Sequence, residues 1–287
     1  MAATSNENIL IASMRRSGGT LLVRLLEGHP ECSVFPFEHC HTSKKAVYRW
    51  QDDWLFRFMS PDKKIRVCDF GNSFHRKLTR YHGDVDSAAF RHDLIELASR
   101  THSVRTLYRP AASLYFRHFH AASLRPSLVN HCARLCILAP WQIQRIFGAN
   151  RLIVSVRDPR AVFSSLEHKR NQTYDEAIIP EFCNEWKQSV ERYHLGDAPA
   201  ISFRFEDLLS DPERVMRSLA GDLGIAFDEV LLDPTRLGEP AKANTSFARS
   251  RGIDPSAADS WRTRLDERPR REIEERLGPL MRRLGYL

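Results

Sequence analysis

The stretch Ile9-Leu10-Ile11-Ala12-Ser13-Met14-Arg15-Arg16-Ser17-Gly18-Gly19-Thr20-Leu21-Leu22 runs from apolar residues into two arginines, a serine and two glycines. An apolar helical pattern starts at once behind them. Such a break reads as a buried strand, a tight loop and a helix. A helix start leaves backbone N–H groups unpaired and partly positive, so an anion placed there is stabilised. The glycines let the backbone approach such a group closely. Ser17 and Thr20 add hydroxyl donors, and Arg16 adds a fixed positive charge. This is the chemistry of a phosphate cradle, although the glycines taken alone would also serve a plain strand–turn–helix connection. A Walker-type loop is not met, because the lysine and the first glycine of G-x-x-x-x-G-K-[ST] are both missing. That disfavours a triphosphatase or a nucleotide kinase.

Outward from this loop, strand-like runs occur at Asn8 to Met14, Cys32 to Phe37, Arg151 to Val156 and Ala200 to Phe205. Helical patterns lie between and after them. The alternation predicts an α/β fold: three layers, α/β/α, with a central, mostly parallel sheet and the phosphate loop after the first strand. Leu21, Leu22, Leu25 and Leu26 form one helical stripe, stopped at Gly28 and Pro30. Asp158-Pro159 and Asp211-Pro212 each read as a cap followed by a first-turn proline. Ile273, Leu277, Leu280, Met281 and Leu284 make a final amphipathic helix. Residues 1–287 read as a single domain. The middle, from about Gly71 to Asn130, is rich in His and Arg and reads as helices and loops inserted between strands.

The chain carries 43 basic and 36 acidic residues, a net charge of +7, which suits anionic ligands without specifying one. The basic residues are dispersed rather than clustered with aromatics on one element, which disfavours nucleic-acid binding. No run approaches the ~20 apolar residues of a membrane span, and the first residues lack a secretory pattern. The expected setting is cytoplasmic, without a membrane anchor. The six cysteines show no CxxC pair and read as reduced core thiols.

A second signature lies in VRDPRAVFSS. Arg157 ends a buried strand, where open α/β sheets place ligands, and Ser165 follows eight residues later in the next helix. The two can converge on one phosphate, although a local Arg157–Asp158 charge pair would look the same. Together the two stretches resemble the phosphate-binding signatures of sulfotransferases that use 3′-phosphoadenosine 5′-phosphosulfate (PAPS). The first is similar to that family's [PR]-[KR]-S-G-T-T-L-L loop, and the second to its Arg and Ser eight apart. FEDLLSDPERVMRSLAGDLGI resembles a later family segment beginning YEDL, and the tail from SFARSRG to RRLGY resembles the closing region of bacterial members.

The resemblance implies transfer of a sulfuryl group to a hydroxyl, less readily an amine, of a saccharide, small metabolite or peptide tyrosine, with 3′-phosphoadenosine 5′-phosphate (PAP) as product and no metal required. Arg16 would contact the transferring group. Arg15, Arg16, Ser17, Gly18, Gly19, Thr20 and Leu21 would form the 5′-phosphosulfate loop. Arg157 and Ser165 would clamp the 3′-phosphate, with Arg251 and Gly252 closing over it. Two departures stand out: Gly19 replaces the usual Thr, and Phe205 replaces a frequent Tyr. Glu38, 22 residues past Arg16, matches the position of a catalytic base in some members. His41 and His39 are the other base candidates. Cys40 between two histidines is poor metal-ligand spacing without a second cluster. The unmatched segment 43–144 is expected to be a helical insert that builds the acceptor pocket and its lid. A homodimer is compatible with this reading.

Overall fold

A computed structural model describes residues 7–35, 82, 88–100, 104–133, 135–170, 178–241 and 252–287. Five strands form one parallel sheet: β1 (Glu7–Ile11), β2 (Cys32–Val34), β3 (Ser127–His131), β4 (Arg151–Val156) and β5 (Ile201–Arg204). Their order is β2-β3-β1-β4-β5. The register pairs Ile9 with Val129 and Arg151, and Val156 with Arg204. From the middle strand β1 the chain runs to the edge strand β2, returns to β3 between them, and then crosses to β4 and β5 on the other side. That order creates a switch point beside β1, where ligands of open α/β sheets sit.

Helices cover both faces. On one face lie α1 (Gly19–Glu27) and, later in the chain, α7 (Phe205–Ser210) and α8 (Pro212–Leu223). They bury Leu21, Leu22, Leu25 and Leu26 of α1 with Ile9, Ile11, Val129 and Ile153 of the sheet. The other face carries α2 (Ala88–Ser99), α3 (Val104–His120), α4 (Pro140–Phe147), α5 (Pro159–Arg170), α6 (Ile178–Tyr193) and α9 (Glu267–Arg283). Their core includes Leu10, Leu128, Val154, Tyr115, Trp186 and Met281. The side chains of β1 alternate between these two cores, as a strand buried on both faces must.

Three expected helix starts are found. Leu21, Leu22, Leu25 and Leu26 are all buried in α1. Asp158 accepts from the Arg160 N–H, and Asp211 accepts from the Arg214 N–H at the head of α8. Gly224 ends α8 in the left-handed conformation, with φ +71.

Two expectations are corrected. Ser127–His131, read as part of a helical and loop middle, is a buried strand between β2 and β1. SLVNH carries Ser, Asn and His, so its apolar run is too short to signal a strand. Cys132 is disulfide-bonded, whereas Cys32, Cys136 and Cys183 are buried free thiols.

Leu25 is wholly buried under the sheet. Leu25→Ala should lower the unfolding free energy by about 3 kcal/mol, measured by urea denaturation, because both the transferred apolar surface and a residual cavity count against it.

Candidate functional site

The loop from Ala12 to Gly18 leaves β1 at its C-terminal end and delivers the chain to α1. Its floor is a buried serine stitch. Ser155 of β4 donates its N–H to Ser13 Oγ at 2.8 Å, and its hydroxyl donates to the Ser17 carbonyl at 2.5 Å. The Ser13 and Ser155 hydroxyl oxygens lie 2.8 Å apart. The stitch fixes the loop height without using the groups that face outward.

Arg16 adopts φ +65 and Gly18 φ +91. Left-handed backbone at a non-glycine residue is costly and persists only where the surroundings hold it. Here Arg157 donates from one guanidinium nitrogen to the Arg16 carbonyl at 2.8 Å. Its other terminal nitrogen donates to the Ala257 carbonyl at 2.5 Å. Arg16 in turn donates from Nε to the Ser165 hydroxyl at 2.8 Å. The two signatures are thus tied in both directions: backbone of the first to Arg157, side chain of the first to Ser165.

Neither loop glycine can be replaced without movement. A Cβ on Gly18 would lie 2.2 Å from the Phe205 ring, and one on Gly19 would lie 2.4 Å from Nε2 of His131. The departure at position 19 therefore has a steric cause, since the imidazole at the end of β3 occupies the space a threonine side chain would need. The departure at Phe205 also has a use. Its ring covers Gly18 and takes the Arg157 guanidinium at 4.9 Å from its centroid, a contact that asks for an aromatic face and no hydroxyl.

The electrostatics suit an anion. No side chain caps the start of α1, so its first N–H groups are not used by a capping side chain. Arg157 is 6% exposed, and its Nε is buried without a hydrogen-bond partner. Burial lowers its pKa to about 10; Glu206 opposes that shift, and Arg16 adds to it. The guanidinium stays charged at neutral pH, with Glu206 and Asp158 acting on it only through space. A phosphate would supply what it lacks.

Arg15, Ser17, Thr20 and Leu21 sit in the loop or the first turn of α1, as the sequence places them. Gly252 takes φ +84, and no described contact links it to the loop. The tail reaches the clamp through the Ala257 carbonyl instead. Glu38, His39, His41 and Arg251 lie outside the described residues. His131 is the site residue the sequence did not reveal. Its signal would have been its place at the end of a strand, and that strand was itself hidden. Among the described residues, His92, Asp93 and Glu96 on α2 have metal-ligand spacing. They belong to neither signature, and Asp93 already bonds His118 and Arg117.

A sulfotransferase-family model matches residues 8–229. An omega-hydroxy-beta-dihydromenaquinone-9 sulfotransferase of Mycobacterium bovis is 25% identical over 212 residues, covering 68% of this chain and 49% of the relative. A candidate protein-tyrosine sulfotransferase of Caenorhabditis briggsae is 24% identical, covering 57% of this chain and 61% of the relative. The chain spans about half to three fifths of the length of these curated relatives. In fold it is similar to the sulfotransferase domain of the Synechococcus PCC 7002 olefin synthase, with a TM-score of 0.57, 22% identity and 97% of each chain covered. It is also similar to a sulfotransferase domain from the curacin biosynthetic pathway, with a TM-score of 0.52, 20% identity, and 96% of this chain and 98% of that one covered.

Gly18→Ala should lower stability by about 2 kcal/mol in thermal or urea melts, from the positive φ together with the Phe205 overlap. An unchanged melt would show that the loop relaxes freely, contrary to the packing described.

Proposed function

Because the chain belongs to the sulfotransferase family, we propose that it moves a sulfuryl group from PAPS to a hydroxyl acceptor. The observation that carries this reading is the meeting of two anion-binding elements at one place. Arg157 and the head of α1 are held together by the bond to the Arg16 carbonyl. One element suits the 5′-phosphosulfate and the other the 3′-phosphate. Both curated relatives are named for acceptors that carry a hydroxyl, one on a menaquinone and one on tyrosine.

PAPS supplies an activated sulfuryl group. The chain's own residues position it and stabilise charge. Loop N–H groups, Ser17 and Thr20 receive the 5′ end, while Arg157 and Ser165 receive the 3′-phosphate. The acceptor oxygen forms a bond to sulfur as the bond from sulfur to the phosphate oxygen breaks. Negative charge grows on that leaving oxygen, where Arg16 and the start of α1 stabilise it. The acceptor proton passes to a base within hydrogen-bond reach. Two residues are proposed for that role. Glu38 follows from the family pattern. His131 follows from its ring lying against Gly19, beside the loop that would hold the transferring group. The acceptor itself is proposed to be a small metabolite, a glycan or a peptide, bound in part by segment 43–144, and the donor chemistry assigns no role to a metal.

A thermal shift with PAP tests the donor assignment; no shift at saturating PAP would remove it. Arg16→Ala should cut turnover about 10²–10³-fold, measured with labelled PAPS and a panel of hydroxyl acceptors. Glu38→Gln and His131→Asn then separate the two bases, and the true base is the one whose loss abolishes turnover while PAP still binds. Affinity for PAP should be flat from pH 7 to 9 and fall as pH rises through about 10, since Arg157 loses its proton there rather than above 12. Calorimetric titrations across that range check it.

A further inference from the structure

Arg157 does not stand alone behind the site. It opens the sequence Arg157-Asp158-Pro159-Arg160, in which Asp158 bonds Glu206 and Arg160 bonds Glu274 and Tyr286 near the end of the described chain. The Asp158 N–H donates to Glu206 Oε1 at 3.0 Å. The other oxygen of that carboxylate, Oε2, accepts from the Tyr286 hydroxyl at 2.9 Å. Arg160 donates to Asp158 Oδ2 at 2.7 Å, to Glu274 at 2.6 Å and to the Tyr286 carbonyl at 2.8 Å. The Arg160 guanidinium lies 4.1 Å from the Trp261 ring centroid, and Arg204 lies 4.6 Å from that of Tyr286. Gly285 takes φ +73, and the Tyr286 N–H returns to the Met281 carbonyl at 2.8 Å, which folds the segment back toward the sheet.

Each Glu206 oxygen accepts one of these bonds, and Glu206 makes no ion pair with Arg157 among the described contacts, so its charge acts on Arg157 through space. This arrangement gives Arg157 counter-charge while leaving Nε unpartnered. It depends on the carboxylate staying where the Tyr286 hydroxyl and the Asp158 amide hold it.

We propose that Tyr286 is a positioning residue for the 3′-phosphate clamp, acting through Glu206 and the Asp158 amide to aim Arg157. It thereby sets the preference of the site for a nucleotide that carries a 3′-phosphate. This rests on the donor reading above. The 5′-phosphate loop shares the Arg157 bond to the Arg16 carbonyl but has a second support in the serine stitch, so a loss of aim at Arg157 weighs more on the 3′-phosphate than on the 5′ end.

The test compares PAP with adenosine 5′-phosphate, which lacks the 3′-phosphate, by calorimetry on the full chain. Tyr286→Phe keeps the ring under Arg204 and removes only the hydroxyl. It should weaken PAP binding about tenfold, equivalent to about 1.4 kcal/mol, and change adenosine 5′-phosphate binding less than about twofold. Glu206→Asp keeps the charge but withdraws it from both partners, and should show the same selective loss. Thermal melts read the fold of each variant, and if one of them no longer melts cooperatively the other carries the comparison. Wild-type affinity for PAP in a folded Tyr286→Phe chain would overturn the proposal, as would equal losses for both nucleotides. A wild-type chain that binds PAP no better than adenosine 5′-phosphate would overturn the donor reading and this proposal together. That outcome is distinct from one in which the preference exists and Tyr286→Phe leaves it intact.

Discussion

The hydrogen bond from Arg157 to the Arg16 carbonyl is the contact on which the site depends. It spans 141 residues of sequence and joins the ends of two neighbouring strands, β1 and β4. Arg16 is held in a left-handed conformation that an arginine seldom adopts alone. A buried cation is costly unless it gains bonds and counter-charge. Arg157 finds bonds in two backbone carbonyls, an aromatic face in Phe205, and distant negative charge in Glu206. What remains uncompensated is the part of its field a ligand would use.

Much of this arrangement is legible in the sequence because it is made of local signals. The strand–loop–helix at Ile9 to Leu22, the cap and proline at Asp158-Pro159, and the stripe of α8 each depend on neighbours within a turn or two. The fold class follows from their alternation. β3 escapes that logic. Its five residues include three polar ones, and it is a strand because β1 and β2 bracket it, a fact that no short window contains. His131 is hidden for the same reason. The reason for Gly19 is hidden too, since it lies in a ring 112 residues away.

The departures from the family pattern become intelligible as pairs. Gly19 goes with His131, and Phe205 goes with Gly18 and Arg157. In each case the smaller or less polar residue makes room for, or a surface for, a partner on another strand end. Single-position comparison marks them as losses of hydroxyl groups. The structure shows each as one half of a contact.

The serine stitch between β1 and β4 has a kinetic consequence. Ser13, Ser17 and Arg16 find their partners 138 to 149 residues later in the chain. Closing a loop of that length costs entropy before its contacts repay it. The anion cradle is therefore absent from any partly folded state that lacks β4, however well β1 and α1 have formed. A ligand that fits the cradle binds only states in which β4 has joined β1, and its binding energy stabilises those states alone.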